Sequence, residues 1–404
     1  MPLKNLTITS KLGYRAGYSN TKTYGGLYYA NDMVYRNQIT LSRNSGNNLY
    51  YQWENYANYN LNTGKHYFNA MLGISFAQTR TDYVSASTNE LTKDLPQFRD
   101  IAYSAATATK GIGGYYTLSA KMSYFARLSY TYAEKYLLQA VVRRDAFDTS
   151  VLPLEKRWGT FPSVSAGWVA SKEGFLSGNQ TLSYLKLRAS WGQNGNIGPL
   201  GGFAYKTSIG SGYTYPYYPV IGYNVGSAPT GLTNPDIRWE TSEQFDLGVD
   251  IRMFKDRLVF SADYYTKETK DLLVATTPPY ETGVSSTTIN AGNVHNHGFE
   301  FELAYNGNAG DFRYGLRGNL SYLHNEVTWL DPSISRISGG SYHTYSGLTA
   351  FEVGYPVWYM RGYELDHIDP STGDPVFVDH TGDGAISDDD KVMIGSALPD
   401  FTYG

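Results

Sequence analysis

Period-two alternation, sustained over segments of ten residues and more, constrains this chain more tightly than anything else in it. In Gln244–Met253 the residues Phe245, Leu247, Val249, Ile251 and Met253 fall on one face, and Gln244, Asp246, Asp250 and Arg252 on the other. Thr117–Tyr132 repeats the pattern at greater length. Leu118, Ala120, Met122, Tyr124, Ala126, Leu128, Tyr130 and Tyr132 line one side, with Ser119, Lys121, Ser123, Arg127, Ser129 and Thr131 on the other. A strand turns successive side chains to opposite faces, so such segments build a sheet with one apolar and one wet surface. Strands of soluble sandwiches run to about 5–6 residues, whereas crossing a bilayer obliquely takes about 9–11. The pattern therefore predicts an all-β chain, an antiparallel transmembrane β-barrel.

About a dozen strands are predicted, over 3–17, 47–61, 65–82, 116–132, 136–147, 160–170, 183–192, 239–253, 257–275, 289–305, 311–328 and 354–367. Helical periodicity is nearly absent. Asn62-Thr63-Gly64, Ala133-Glu134-Lys135, Lys255-Asp256 and Asn306–Gly310 read as tight hairpin turns. The long connections 83–115, 193–238 and 329–353 fall between those hairpins. Short turns alternating with long loops are what outer-membrane barrels have on their periplasmic and extracellular ends. Aromatics flank the tight turns, with Tyr130, Tyr132 and Tyr136 at one, Tyr305, Phe312 and Tyr314 at another and Phe254 at a third. Headgroup-level rings and ordinary cross-strand pairs both fit that placement, and its repetition favours a girdle. Strict alternation directs Leu118, Met122, Leu128, Phe245, Val249, Ile251, Phe299 and Phe301 to lipid. It directs Lys121, Asp246, Asp250, Glu300 and Arg317 to the lumen, where mixed charges suit structural pairing.

Composition enters as a filter. A net charge of −4 with 17% charged residues leaves no electrostatic footprint for nucleic acid. A hydrophobic fraction of 41%, with 38 tyrosines, is too high for a disordered chain. The mean hydropathy of −0.40 is what alternation yields. The absence of cysteine removes disulfides, thiolate metal sites and thiol catalysis together. The start Met1-Pro2-Leu3-Lys4-Asn5 carries no charged-then-apolar leader, and Pro399–Gly404 reads as the beginning of a further strand. The chain thus reads as a barrel fragment over 1–404, with an Asp/Gly-rich insertion at 369–398. Two unpaired edges are not tolerated in hydrocarbon, so the fragment alone is not expected to close into a stable barrel.

Six segments in series carry a resemblance: Glu134–Asp145, Arg157–Trp168, Leu185–Asn196, Asn234–Glu240, Asn290–Glu300 and Asp379–Ile386. In order and spacing the chain resembles the barrel of the SusC/RagA family of TonB-linked outer-membrane transporters, over nearly its whole length. The resemblance implies a 22-stranded barrel in the outer membrane of Bacteroidetes-type bacteria, plugged by an N-terminal domain. It also implies import of oligosaccharides or peptides, a SusD-like surface lipoprotein as lid, and energy from the TonB complex. The signal segment, the TonB-contacting segment, the plug and the last strands have no counterpart in this sequence. Two other readings stay open: a non-transporting surface adhesin or structural β-protein, and a siderophore or vitamin receptor barrel.

No catalytic constellation emerges, and the chain is not expected to be an enzyme. The seven histidines are scattered and no phosphate-binding loop or GxSxG elbow occurs. Two candidate sites remain, with no organic cofactor implied. Tyr213, Tyr215, Tyr217, Tyr218 and Tyr223 crowd one Gly/Tyr-rich connection. Such rings give rigid contact area with a polar tip, suited either to stacking on sugars or to packing between loops. Asp379–Asp390 has calcium-loop spacing, with Asp379, Thr381 and Asp383 at positions 1, 3 and 5 and Gly384 at 6. The Ala385 carbonyl stands at 7 and Asp390 at 12. Thr at 3, Asp instead of Glu at 12, and the lack of flanking helices leave a plain Asp/Gly-rich turn as the alternative. The consecutive Asp388, Asp389 and Asp390 repel one another, which is the electrostatic case for a cation.

Overall fold

The computed structural model describes residues 4–148, 151–176, 178–216, 223–276, 278, 280–284, 287–339 and 347–404. Twelve strands form one antiparallel sheet whose spatial order follows the chain. They are β1 (Leu6–Gly25), β2 (Thr40–Thr63), β3 (His66–Thr88), β4 (Lys110–Tyr132), β5 (Tyr136–Phe147), β6 (Trp158–Val169), β7 (Leu182–Asn196), β8 (Glu240–Met253), β9 (Leu258–Thr276), β10 (Thr287–Ala309), β11 (Phe312–Leu330) and β12 (Phe401–Tyr403). Eleven of the expected strands are present, most of them longer at one or both ends. The strand foreshadowed at the C-terminus is present too, with Phe401 opposite Tyr322 and Tyr403 opposite Leu320.

One predicted strand is corrected. Residues 354–367 do not join the large sheet. They supply the four-residue strands Tyr359–Gly362 and Leu365–Ile368, which pair with Val392–Gly395 and Pro375–Phe377. The alternation there is interrupted by left-handed backbone at Gly354 (φ 85) and Trp358 (φ 55), with Pro356 between them. No long ladder survives such interruptions. The connection expected at 83–115 also shrinks to 89–109, because β3 and β4 run on past the predicted ends. Gly114 allows that extension: a Cβ there would stand 2.6 Å from the Tyr83 carbonyl oxygen.

The chain divides into two units, one of residues 1–58, 71–125 and 145–150, the other of 59–70, 126–144 and 151–404. In the first, Ile39, Leu41 and Leu91 form a small buried cluster against Tyr24 and Ile101. The Arg99 guanidinium lies 3.9 Å from the centre of the Tyr24 ring, and Tyr24 donates to Asp94. In the second, Val274, Ala291, Val294, Val327, Leu330, Ile337 and Phe351 make the principal buried cluster, with Ile337 and Phe351 supplied by the connection that follows β11.

Registers in the second unit fix which residues share a face. Ala189 pairs with Leu247, Leu247 with Tyr264, Tyr264 with Phe299, and Phe299 with Tyr322. On that face Leu128, Phe245, Leu247, Phe299 and Phe301 are exposed, and Val249 and Ile251 half-buried. From Phe245 to Met253 the apolar row spans roughly 27 Å along the strand, about 21 Å along the normal at a tilt of about 40°. That approaches the roughly 25 Å apolar band of an outer-membrane barrel. Both ends of the row are marked. Toward the short turns, Phe68 packs on Tyr130 (4.6 Å between centroids) and Tyr132 on Tyr136 (6.2 Å). Toward the long connections a row of Tyr264, Phe299, Tyr322 and Phe401 is followed by Glu243, Glu268, His295 and Glu326. The sequence reading had placed aromatics only at the tight turns. This second, polar-topped row appears only once cross-strand register is known.

A charge introduced mid-row separates the faces. Val249→Arg is expected to cost roughly 2–4 kcal/mol of barrel stability, whereas Ser261→Arg, between Asp250 and Glu302, is expected to cost little. Heat-modifiable electrophoretic mobility of the complete barrel is the measurement, and equal losses would refute the assignment of faces.

Candidate functional site

The face opposite the apolar row is a polar wall organised around Arg188. Its Nε and Nη2 donate to the two oxygens of Asp250, each at 2.9 Å, and Nη2 also donates to Asp263 at 3.0 Å. Nη1 stands 2.9 Å from the second Asp263 oxygen. One guanidinium on β7 thus spans β8 to hold a carboxylate on β9. The reach is possible because Gly248 lies opposite both Arg188 and Asp263 in register. A Cβ at Gly248 would press into Asp263 Oδ1 and stand 2.8 Å from Arg188 Cζ. Planar, bidentate geometry of this kind is what arginine offers and lysine does not.

Neighbouring positions continue the wall. Ser190 donates to Asp246 at 2.9 Å and Gln244 donates to the other Asp246 oxygen at 2.7 Å. The expected lumen residues Asp246, Asp250, Glu300 and Arg317 all fall on this face by register. Glu300, Glu302 and Arg317 are exposed. Arg188, Gly248 and Asp263 escaped the sequence reading. The available signal was a glycine in the polar row of a strand, which marks a close approach.

The tyrosine-rich connection after β7 folds as a two-stranded ribbon of Ile209–Pro216 and Tyr223–Pro229, with Tyr213 opposite Gly226, Tyr215 opposite Asn224 and Pro216 opposite Tyr223. Tyr217 and Tyr218 lie outside the described residues.

The Asp/Gly loop is held by its own carboxylates. Asp379 accepts from the amides of Gly384 (2.8 Å) and Gly382 (2.6 Å) and from the Thr381 hydroxyl (3.1 Å). Asp383 accepts from the Ala385 amide at 2.8 Å. Asp390 is fully buried and accepts from the amides of Ser387 (2.7 Å) and Thr381 (2.9 Å), capping the short 3-10 turn Asp388–Asp390. These backbone donors hold the Asp390 and Asp379 carboxyls below the usual aspartate value. Among the described residues no three His, Cys, Asp or Glu side chains converge as a metal would require.

The electrostatic case for a cation at the acidic run needs correction. Asp388 is neutralised by protein cations, with Lys391 Nζ at 2.7 Å, the buried Arg361 at 3.0 Å and Arg336 at 3.5 Å. At the opposite end of the strands, Glu173 binds Lys135 (2.8 Å), Tyr136 (2.7 Å) and Trp168 (3.2 Å), which lower its carboxyl to about 2.

With fold and wall in place, the class is clear: a β-barrel wall with one face for lipid and one for an aqueous lumen. Residues 3–401 match the family described as TonB dependent receptor-like, beta-barrel, and the chain belongs to that family. It is 32% identical over 383 residues to TonB-dependent receptor P26 of Formosa agariphila, an alignment covering 87% of this chain and 36% of that protein. It is 31% identical over 307 residues to TonB-dependent receptor SusC of Bacteroides thetaiotaomicron, covering 72% of this chain and 30% of SusC. The resemblance to SusC-type barrels is thereby borne out, and the chain is part of an outer-membrane protein. It spans about a third of the length of these curated relatives. In fold it is similar to the RagAB peptide transporter, with a TM-score of 0.84 at 22% identity, over 100% of this chain and 44% of that one.

Lys391 and then Arg361 lower the Asp388 carboxyl from its ordinary 3.8 to about 2. A carboxyl depressed on folding stabilises the native state above its unfolded value, and that contribution fades as pH falls through the folded value. Protease resistance of the 331–400 connection should therefore hold down to about pH 4 and decline toward pH 2. Asp388→Asn should lower resistance at neutral pH and flatten the acid step. An unchanged step in that variant would remove Asp388 as its source.

Proposed function

We propose that this chain is part of an importer that draws oligosaccharides or peptides through the outer membrane, powered by the TonB complex and working with a SusD-like surface lipoprotein. The observation that carries the reading is the polar wall centred on Arg188, set on the back of a lipid-facing apolar row in a family of TonB-dependent receptors. Its strongest charges are closed on one another, and the groups left over are of mixed sign, Glu300, Glu302, Lys267 and Arg317, among amides and hydroxyls. Such a lining favours hydroxyl- and amide-rich cargo over a bare ion, and we read it as a conduit, not a catalyst. The family is one of receptors and transporters, which supports that reading. The Ile209–Pro216 and Tyr223–Pro229 ribbon belongs to a long connection, on the side where a surface lipoprotein delivers cargo. Its Tyr213, Tyr215 and Tyr223 are the proposed contacts, together with Tyr217 and Tyr218.

Calorimetry of the complete receptor, with and without its lipoprotein, against a panel of oligosaccharides and peptides tests this. Replacing Tyr213, Tyr215 and Tyr223 singly by Ala should weaken cargo binding roughly two- to tenfold per ring. Uptake should vanish in cells lacking TonB. Surface retention of cargo that needs neither TonB nor lipoprotein would instead support an adhesin.

The 379–390 loop belongs to the same proposal as a weak calcium site, formed by Asp379, Thr381, Asp383, the Ala385 carbonyl and Asp390. Ligand spacing supports it, as do the oxygen-only donors. Asp383 is exposed and Asp379 half-buried, and Asp379 Oδ2 and Asp383 Oδ1, each accepting one backbone amide, keep a second lone pair. Because the loop already closes without a cation, the ion would add rigidity only, with an affinity of about 10⁻⁴–10⁻³ M. Titration calorimetry should give a calcium heat that Asp383→Ala abolishes. No heat, and no change in protease resistance with chelator, would leave the segment a turn.

A further inference from the structure

On the apolar face of the second unit, a groove of about 510 Å³ crosses β4 to β8. Ala140, Ala166 and Ala189 line it where neighbouring strands carry large side chains, and Ala166 and Ala189 are direct cross-strand partners. Tyr130 stands at one margin, and Trp191 and Phe245 at the other. Both margins are pinned by hydrogen bonds. Trp191 Nε1 donates to Glu243 at 2.8 Å, and the Tyr130 hydroxyl lies 2.9 Å from His66 Nδ1. A groove with fixed walls presents a shape that a bulk, disordered lipid shell does not require.

A polar recess neighbours the Tyr130 margin of the groove, the two linked by the Tyr130–His66 contact. His66, which holds Tyr130, lines a second hollow with Asn62, Lys65, Glu134 and Lys135 at the 64–65 and 133–135 turns. Two of the charges there are already committed, Lys135 to Glu173 and Glu134 to Lys172. Lys65 is exposed and has no carboxylate partner among the described residues. The apolar groove therefore has, beyond its Tyr130 margin, an unneutralised ammonium at the level of the short, periplasmic turns.

We propose that this surface binds one phospholipid of the periplasmic leaflet, with an acyl chain in the groove and its phosphate at Lys65 and His66. The occupant follows from the position of the groove. It opens on the lipid-facing row of an outer-membrane barrel, so hydrocarbon chains are what meet it. The cation sits at the end nearest the short turns, where the periplasmic leaflet carries its phosphates. Lys65 and His66 are donors suited to an anionic head.

Native mass spectrometry of the complete barrel, released from mild detergent with phosphatidylglycerol or with diacylglycerol, is the test. One phosphatidylglycerol should be retained per barrel. Filling the groove with Ala166→Phe should reduce retention of both lipids about tenfold, the worth of roughly two methylenes. Lys65→Ala should weaken phosphatidylglycerol about fivefold and leave diacylglycerol unchanged. Heat-modifiable mobility confirms assembly of each variant, and Ala140→Phe replaces Ala166→Phe if the latter does not assemble. Three results overturn the proposal: retention indifferent to the filling variants, which is annular lipid only; retention of lipopolysaccharide in place of phospholipid; or loss of dimer, not of lipid, on filling the groove.

Discussion

Inside hydrocarbon no water competes for a backbone N–H or C=O, so each must find its partner in the sheet. That requirement explains the length and regularity of the central strands. β8 and β9 pair without a break from Thr241 opposite Lys270 to Met253 opposite Leu258. The irregularities of the neighbouring ladders lie outside the Phe245–Ile251 span, at Arg252/Met253 between β7 and β8, Thr269/Leu272 and Leu272/Leu273 between β9 and β10, and Asn293/Val294 between β10 and β11. None interrupts the apolar row from Phe245 to Ile251. A bulge leaves a residue unpaired, which is tolerable where water or a connection can serve it and costly in between.

Once the backbone is fixed, side chains face two solvents a strand thickness apart, and each face solves a different problem. The outer face needs only apolar volume in the middle and amphipathic rings at its edges. The inner face must carry charge without collapsing, and it does so by closing its strongest charges on each other. Arg188 between Asp250 and Asp263 leaves one net negative charge from three groups and fixes three strands in register. Gly248 is what makes the arrangement possible. The guanidinium passes from β7 toward β9 through the space that a Gly248 side chain would fill. Side-chain exposures of 36% for Arg188, 31% for Asp250 and 24% for Asp263 keep the pairs partly hydrated. Their value is therefore geometric, and modest in stability.

How much of this was legible in the sequence follows from which interactions are local. Alternation is local, and β5, β8 and β9 were readable almost to the residue because nothing else in Tyr136–Phe147 or Glu240–Thr276 competes with period two. Hairpin turns are local as well: Phe254, Lys255 and Asp256 all adopt positive φ in the tight turn expected there. Register is not local. The row of Glu243, Glu268, His295 and Glu326 joins four strands that no spacing in the chain connects, and the Arg188 clamp joins residues 62 and 75 positions apart. Residues 354–367 misled for the converse reason. Their apolar spacing resembles a strand, but Pro356 and two left-handed positions leave only short pieces, which pair locally.

The hydrogen-bond constraint does not stop at the membrane edge; it changes its acceptors. Where the chain leaves the sheet, Asp and Asn side chains take over from neighbouring strands. Asn31 accepts from Met33 and Val34, Asn179 from Thr181 and Leu182, Asp331 from Ser333, and Asp369 from Ser371. The 379–390 loop is the densest case, in which Asp379, Asp383 and Asp390 together serve five backbone amides. Seen this way, its calcium-like spacing and its hydrogen bonding have one cause. A loop that must turn tightly needs an oxygen acceptor every second or third residue, and the same oxygens at the same spacing are what a hard cation would select. The acidity of the segment then follows from its turns, while the charge this creates at Asp388 is met by Arg361, Arg336 and Lys391 on the elements packed around it.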